Sequence, residues 1–183
     1  MGSMMIFARQ MIHHKEPGVP SKIAESAKYY PFFRDCVGTV DGSHYSCRPT
    51  GDSKEAYRNR KGTVSINTMA VVDFDGRFLY VLAAWEGSAH DWRGFLDSIT
   101  RGFMIPRGKF ILGDAGYNNS HRVLVPFRGI RYHLQEVGIS QMRPRTPEEL
   151  YNLRHCELRI VVEMAFGFHK GKWRMLTKTG VSS

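Results

Sequence analysis

The sequence predicts an α/β domain in which helices pack against a mixed β-sheet, and three features carry that expectation. Two strand-like runs, about Val64–Val72 and Phe78–Trp85, flank the turn sequence DFDG. A short apolar run, KFILGD, stops at Asp114. A long helical pattern follows a well-capped start at Thr146.

Taken in order, residues 1–30 are polar and mixed, and KEPGVPSK (Lys15–Lys22) reads as a linker arm with two prolines and a glycine. A single domain is expected over residues 31–178. Val37–Val40 reads as a strand ending at Asp41, DGS as a turn, and HYSCRP as the returning strand of a hairpin. In the next hairpin Asp75-Gly76 is the expected tight-turn pair. Its second strand is almost wholly apolar, which predicts burial on both faces. Trp92, Phe95, Leu96 and Ile99 recur at helical spacing, and Gly102 ends that helix. KFILGD is a short buried strand, and a mixed loop with one more strand is expected over 120–139. Thr146 then suits an N-cap, Pro147 the first helical position, and Glu149 completes a capping box. This helix is expected to reach about His169, with Gly171 beyond its end. Leu150, Leu153, Val161, Met164 and Phe168 are assigned to its core face, and Glu163 falls off that stripe, one turn from Arg159 and from Gly167.

At 183 residues and 42% hydrophobic, the chain suits one domain with a real core. It carries 26 Lys+Arg against 17 Asp+Glu, a formal charge of +9. A basic balance of this kind points to anionic partners, nucleic acid first among them. Cys36, Cys47 and Cys156 are far apart and odd in number, so neither a disulfide framework nor a zinc ribbon is predicted. A reduced, intracellular setting is the expectation. No apolar run approaches the ~20 residues of a spanning helix, so no membrane partner is expected.

Three acids stand out: Asp41 and Asp114 at strand ends, and Glu163 on the last helix. Neighbouring strands would bring the first two within about 5 Å, and the helix could carry Glu163 over the same edge. Three carboxylates so close persist only if cations neutralise them. Hard divalent ions such as Mg²⁺ or Mn²⁺ suit oxygen ligands, and paired ions of this kind support phosphodiester cleavage.

Four blocks of the chain resemble those of the PIF/Harbinger-type DDE transposases and their Harbinger-derived nuclease relatives. They are YYPFFRDCVGTVDGSHY, the run from YRNRKG to SAHDWR, LGDAGY, and ELYNLRHCELRIVVEMAFGFHKGKWRML, in that order from about Pro20 to Leu176. The resemblance implies an RNase H-like fold and divalent-metal-dependent cutting and joining of DNA strands at transposon ends. Matched by position, it implies Asp41, Asp114 and Glu163 as catalytic, metal-holding acids, with Asp91 as a further acid that touches metal or else caps a helix. It also implies double-stranded DNA as partner, a Myb-like accessory protein, self-association and a nuclear location. Family members carry a helical DNA-binding segment ahead of this region, so a shortened chain is expected. The competing expectation is a domesticated or decayed copy that binds DNA or protein without catalysis.

Among the remaining residues, His44 and His90 lie beside these blocks, where each could orient water or phosphate or serve a structural bond. Arg58, Arg60 and Lys61 cluster beside Tyr57 as a candidate phosphate grip. Arg143, Arg145, Arg159, Lys170, Lys172 and Arg174 are candidates for the far wall of a DNA channel, although Arg159 could equally pair with Glu163 or Glu157.

Overall fold

Five strands, β1 (Cys36–Ser46), β2 (Ser65–Val72), β3 (Phe78–Glu86), β4 (Phe110–Leu112) and β5 (Val123–Leu124), form one sheet in the order β3-β2-β1-β4-β5. β1, β2 and β3 pair antiparallel, whereas β1 pairs parallel with β4 and β4 parallel with β5. The sheet is therefore mixed, as expected. Among the described residues, three helices accompany it: α1 (Ser21–Ala24), α2 (Asp91–Thr100) and α3 (Pro147–Lys172). The computed structural model describes residues 18–46, 65–86, 91–130 and 144–172.

Both faces of the sheet are covered, and strand periodicity divides the core between them. Along β2, Ala70 and Val72 point into a cluster with Ile23, Leu158, Val162 and Phe166, beneath α3. Met69 and Val71 point the other way, toward Phe95, Phe103 and Tyr117 on the α2 side. β4 repeats the pattern, with Leu112 facing the α3 side and Ile111 the α2 side. Successive side chains on a strand face opposite ways, so two apolar neighbours serve two layers. Gly38 lets β1 lie close against β2, since a Cβ there would stand 2.5 Å from the Val72 carbonyl oxygen.

The local signals act as expected at three places. Gly76 takes a positive φ of 81° in the β2–β3 turn, where Asp73 Oδ1 accepts from the amides of Asp75 and Arg77, both at 2.9 Å. Gly102, at φ 92°, follows the end of α2. Thr146 Oγ1 accepts from the Glu149 amide at 3.2 Å, and the Glu149 carboxylate accepts in turn from the Arg145 amide at 2.7 Å. That second bond reaches one residue further back than the usual box.

Five expectations need correction. DGS does not turn: β1 runs unbroken to Ser46, and Asp41, Gly42 and Ser43 pair with Ala70, Met69 and Thr68. A long facing strand supplies ladder partners that outweigh the local turn tendency of Asp-Gly. β3 is not buried on both faces, because it sits at the end of the strand order and leaves Val81 exposed. α3 continues through Gly171 to Lys172. Its Leu150, Met164 and Phe168 are exposed, the last two at 67% and 72%, and the buried line instead includes Asn152, His155, Leu158, Arg159 and Val162. Finally, Ile23 and Tyr29, placed in the arm by the sequence, are buried against α3 in the core.

Candidate active site

Parallel pairing of β1 with β4 brings two of the acids to one margin. The last paired positions are Thr39 and Leu112, and Asp41 and Asp114 each lie two residues beyond. Asp41 therefore stands within β1 rather than at its end, but at the level where β4 stops.

Each acid is held by its surroundings. Asp41 Oδ1 accepts from the Gly42 amide at 2.8 Å, and Oδ2 accepts from Arg159 Nη2 at 2.9 Å. Burial pushes the Asp41 carboxyl up to about 6. Arg159 and the Gly42 amide pull it back down, while Asp114 and Glu163 push it further up. The three carboxylates thus lie within electrostatic reach of one another, and Arg159 reaches both Asp41 and Glu163.

Asp114 lies between two glycines for steric reasons. A Cβ at Gly113 would come within 3.0 Å of both Tyr117 Cγ and Val123 Cγ1. The Gly116 amide donates to Asp114 Oδ1 at 2.9 Å, and a Cβ there would lie 3.1 Å from that same oxygen. Both small residues let the chain fold tightly around the carboxylate after β4.

Glu163 rises from α3 and is 58% exposed at its side chain, with Oε1 3.7 Å from Arg159 Nη2. Arg159 itself is only 8% exposed. Its Nε finds no hydrogen-bond partner among the described residues. It lies beneath the site and not on an open surface wall; of the two expected partners, Glu163 and Glu157, it takes Glu163, and it bonds Asp41, which was not expected, more closely.

Two further residues escaped the sequence reading. His155 Nε2 donates to the Leu124 carbonyl at 3.1 Å, and its ring also interacts with the Gly113 backbone. Burial holds this imidazole neutral, pushed down to about 4. Asn152 is fully buried: Oδ1 accepts from the Phe127 amide at 2.8 Å, and Nδ2 donates to the carbonyls of Phe127 and Ile130. Residues 152, 155, 159 and 163 follow helical spacing along one side of α3. A polar line at that spacing was the available signal.

The oxygen donors of Asp41, Asp114 and Glu163 suit a hard divalent ion in kind. Among the described residues, however, no three His, Cys, Asp or Glu side chains stand close enough to hold one ion. The Arg159 guanidinium contacts both Asp41 and Glu163, where a cation would otherwise serve.

The other candidates are dispersed. His44 is exposed and sits 3.2 Å from Ser65 Oγ through Nδ1. Lys170 lies 5.1 Å over the Tyr45 ring, and partial burial lowers its ammonium from the usual range. Lys172 is exposed near Phe168. Asp91 is the first residue of α2. Arg58, Arg60, Lys61, His90, Arg143 and Arg174 lie outside the described residues. A separate depression of about 840 Å³ between Phe127, Arg128, Glu148 and Tyr151 is lined by none of the three acids.

A family model described as "DDE superfamily endonuclease" matches residues 40–183. The chain is 26% identical to "Protein ALP1-like" of Arabidopsis thaliana, over 90% of its own length and 42% of that protein's. It is 28% identical to "Putative nuclease HARBI1" of Rattus norvegicus, over 69% of the chain and 34% of the relative. The Bos taurus protein of the same name is 27% identical, over 76% and 37%. The chain thus spans less than half the length of these relatives. No solved structure matches it. No helix among the described residues is long and apolar enough to cross a membrane. The family resemblance carried by the four sequence blocks agrees with these matches, and the matched region takes in Asp41, Asp114 and Glu163 together: the chain belongs to the DDE superfamily of endonucleases.

Proposed function

We propose that this chain is the catalytic part of a divalent-metal-dependent DNA endonuclease that cuts and joins strands at transposon ends. One observation carries the reading most: Asp41 and Asp114 lie just beyond the last paired positions of adjacent parallel strands, and α3 carries Glu163 into their electrostatic reach. The strand order, with three antiparallel strands followed by two parallel ones, supports an RNase H-like arrangement.

In this reading Asp41, Asp114 and Glu163 would hold the metal, and Asp91 would be a further ligand. Bound Mg²⁺ or Mn²⁺ supplies Lewis acidity and a reactive water or hydroxyl. The protein's own contribution is positional. Gly113 and Gly116 fix the turn that presents Asp114. The Gly42 amide orients one oxygen of Asp41. His155 anchors α3 to Leu124 and Gly113, so that Glu163 and Asp114 keep their relative places. The +9 formal charge suits a polyanionic polymer. Arg58, Arg60, Lys61, Lys170 and Lys172 are the proposed backbone contacts. Double-stranded DNA, a Myb-like accessory protein, a second copy of the chain and a nuclear location complete the proposal.

The test is nicking of supercoiled DNA with Mn²⁺. Asp114→Ala should abolish nicking while preserving the far-ultraviolet circular dichroism, and an Asp114→Ala protein that nicks as well as the parent would refute the assignment. A second reading is favoured by the Asp41–Arg159 ion pair, which already neutralises one acid without metal. It makes the chain a non-catalytic DNA- or protein-binding copy. Calorimetric titration separates the two, since absence of binding at millimolar Mn²⁺ favours the second. Pre-cut DNA ends offered to the protein would separate joining from simple hydrolysis.

A further inference from the structure

We infer that Arg159 is a built-in counter-cation that competes with divalent metal for Asp41, so that loading the site requires the guanidinium to withdraw. The inference rests on the metal-dependent reading above and concerns how that site is kept between loadings.

The geometry distinguishes a competitor from a scaffold. A scaffold that assembled the acids would grip them evenly. Arg159 instead donates to Asp41 Oδ2 at 2.9 Å and lies 3.7 Å from Glu163 Oε1. Asp114 Oδ1 accepts instead from the Gly116 amide at 2.9 Å. Asp41 Oδ1 is engaged by the Gly42 amide, so the guanidinium holds the remaining oxygen. Mg²⁺ bonds oxygen at about 2.0–2.1 Å, so an ion on Oδ2 would lie within about 5 Å of Nη2. A dication and a guanidinium that close repel each other, and burial weakens the screening. The same burial explains why the cation is built in. Without Arg159, an Asp41 carboxylate shut from water beside two other acids would lack a neutralising partner.

The experiment is Mn²⁺ binding to the full chain, read by the paramagnetic resonance signal of free Mn²⁺ and by calorimetry, with no activity readout. Arg159→Gln should bind Mn²⁺ at least ~10-fold more tightly than the parent, because the repelling charge is gone. Arg159→Lys, which keeps the charge, should stay close to the parent. Equal or weaker binding by Arg159→Gln overturns the inference while leaving a metal site in place. If neither parent nor variants bind Mn²⁺, the metal-dependent reading itself falls, and the inference with it. Should Arg159→Gln fail to fold, the unaltered protein decides. During a Mg²⁺ titration, the ¹⁵N resonance of Arg159 Nε should shift with the same midpoint as the Gly42 amide. A Gly42 amide that responds while Arg159 Nε stays fixed overturns the inference.

Discussion

His155 and Leu124 meet at 3.1 Å, imidazole Nε2 against strand carbonyl, and the bond ties the middle of α3 to β5. The histidine is buried, neutral and pushed down to about 4. An unfolded histidine titrates near 6.5, so between those values the unfolded chain binds more protons than the folded one. The stability contributed by neutral His155 is complete above about pH 6.5 and is lost as pH falls toward 4, a change of about 3 kcal/mol. Asp41, pushed up to about 6, acts in the opposite sense over part of this range. Urea midpoints measured from pH 4 to 7 should therefore fall less steeply on the acid side in His155→Gln. Parallel curves for parent and variant would remove His155 as the cause.

Gly38 has no room for a side chain, its Cβ position lying 2.5 Å from the Val72 carbonyl oxygen. The obstacle is backbone in the central pair of strands, which cannot move without breaking the β1–β2 ladder. Gly38→Ala should cost at least about 3 kcal/mol, at the upper end of overpacking penalties. Denaturant unfolding checks this, and a loss below about 1 kcal/mol would show that the strands adjust freely.

Asn152 answers three backbone groups at once, two on Phe127 and one on Ile130. Asn152→Ala leaves those groups unsatisfied in a buried setting, at about 1–3 kcal/mol for each group that water cannot reach. Amide hydrogen exchange should accelerate first at Phe127. Unchanged protection there would mean that the 127–130 turn holds itself.

The two sides of α3 should respond oppositely to truncation. Leu158 is fully buried, and Leu158→Ala should cost about 2–5 kcal/mol. Met164 and Phe168 are exposed, and replacing either by Ser should change stability by no more than about 0.5 kcal/mol. Thermal melts of the three variants would expose any error in the assignment of faces.

Local chemistry was readable where one residue type has one physical use. Gly76 and Gly102 occupy backbone conformations that other residues resist, and Thr146 caps a helix because its hydroxyl reaches a free amide. The apolar runs were found because Met69–Val72 of β2 and Ile111–Leu112 of β4 are covered on both faces. Reading Asp-Gly at 41–42 as a turn failed because β2 offers a full set of ladder partners opposite it. The core stripe of α3 held at Val161 and failed at Leu150, Met164 and Phe168. Counting apolar side chains missed that the sheet-facing side carries Asn152, His155 and Arg159 beside Leu158 and Val162.

The sequence by itself determined the order of elements, the principal turns and caps, the family, and which acids deserved notice. Each depends on short stretches whose meaning survives in isolation. Only the tertiary structure decided that Asp41 sits inside a long strand, that His155 ties α3 to β5 while Asn152 holds the chain at 127–130, and that Arg159 neutralises Asp41. These are pairings between groups as far apart as positions 41 and 159. A buried charge or amide finds its partner through strand order and helix placement, and those emerge only when the whole chain closes around its core.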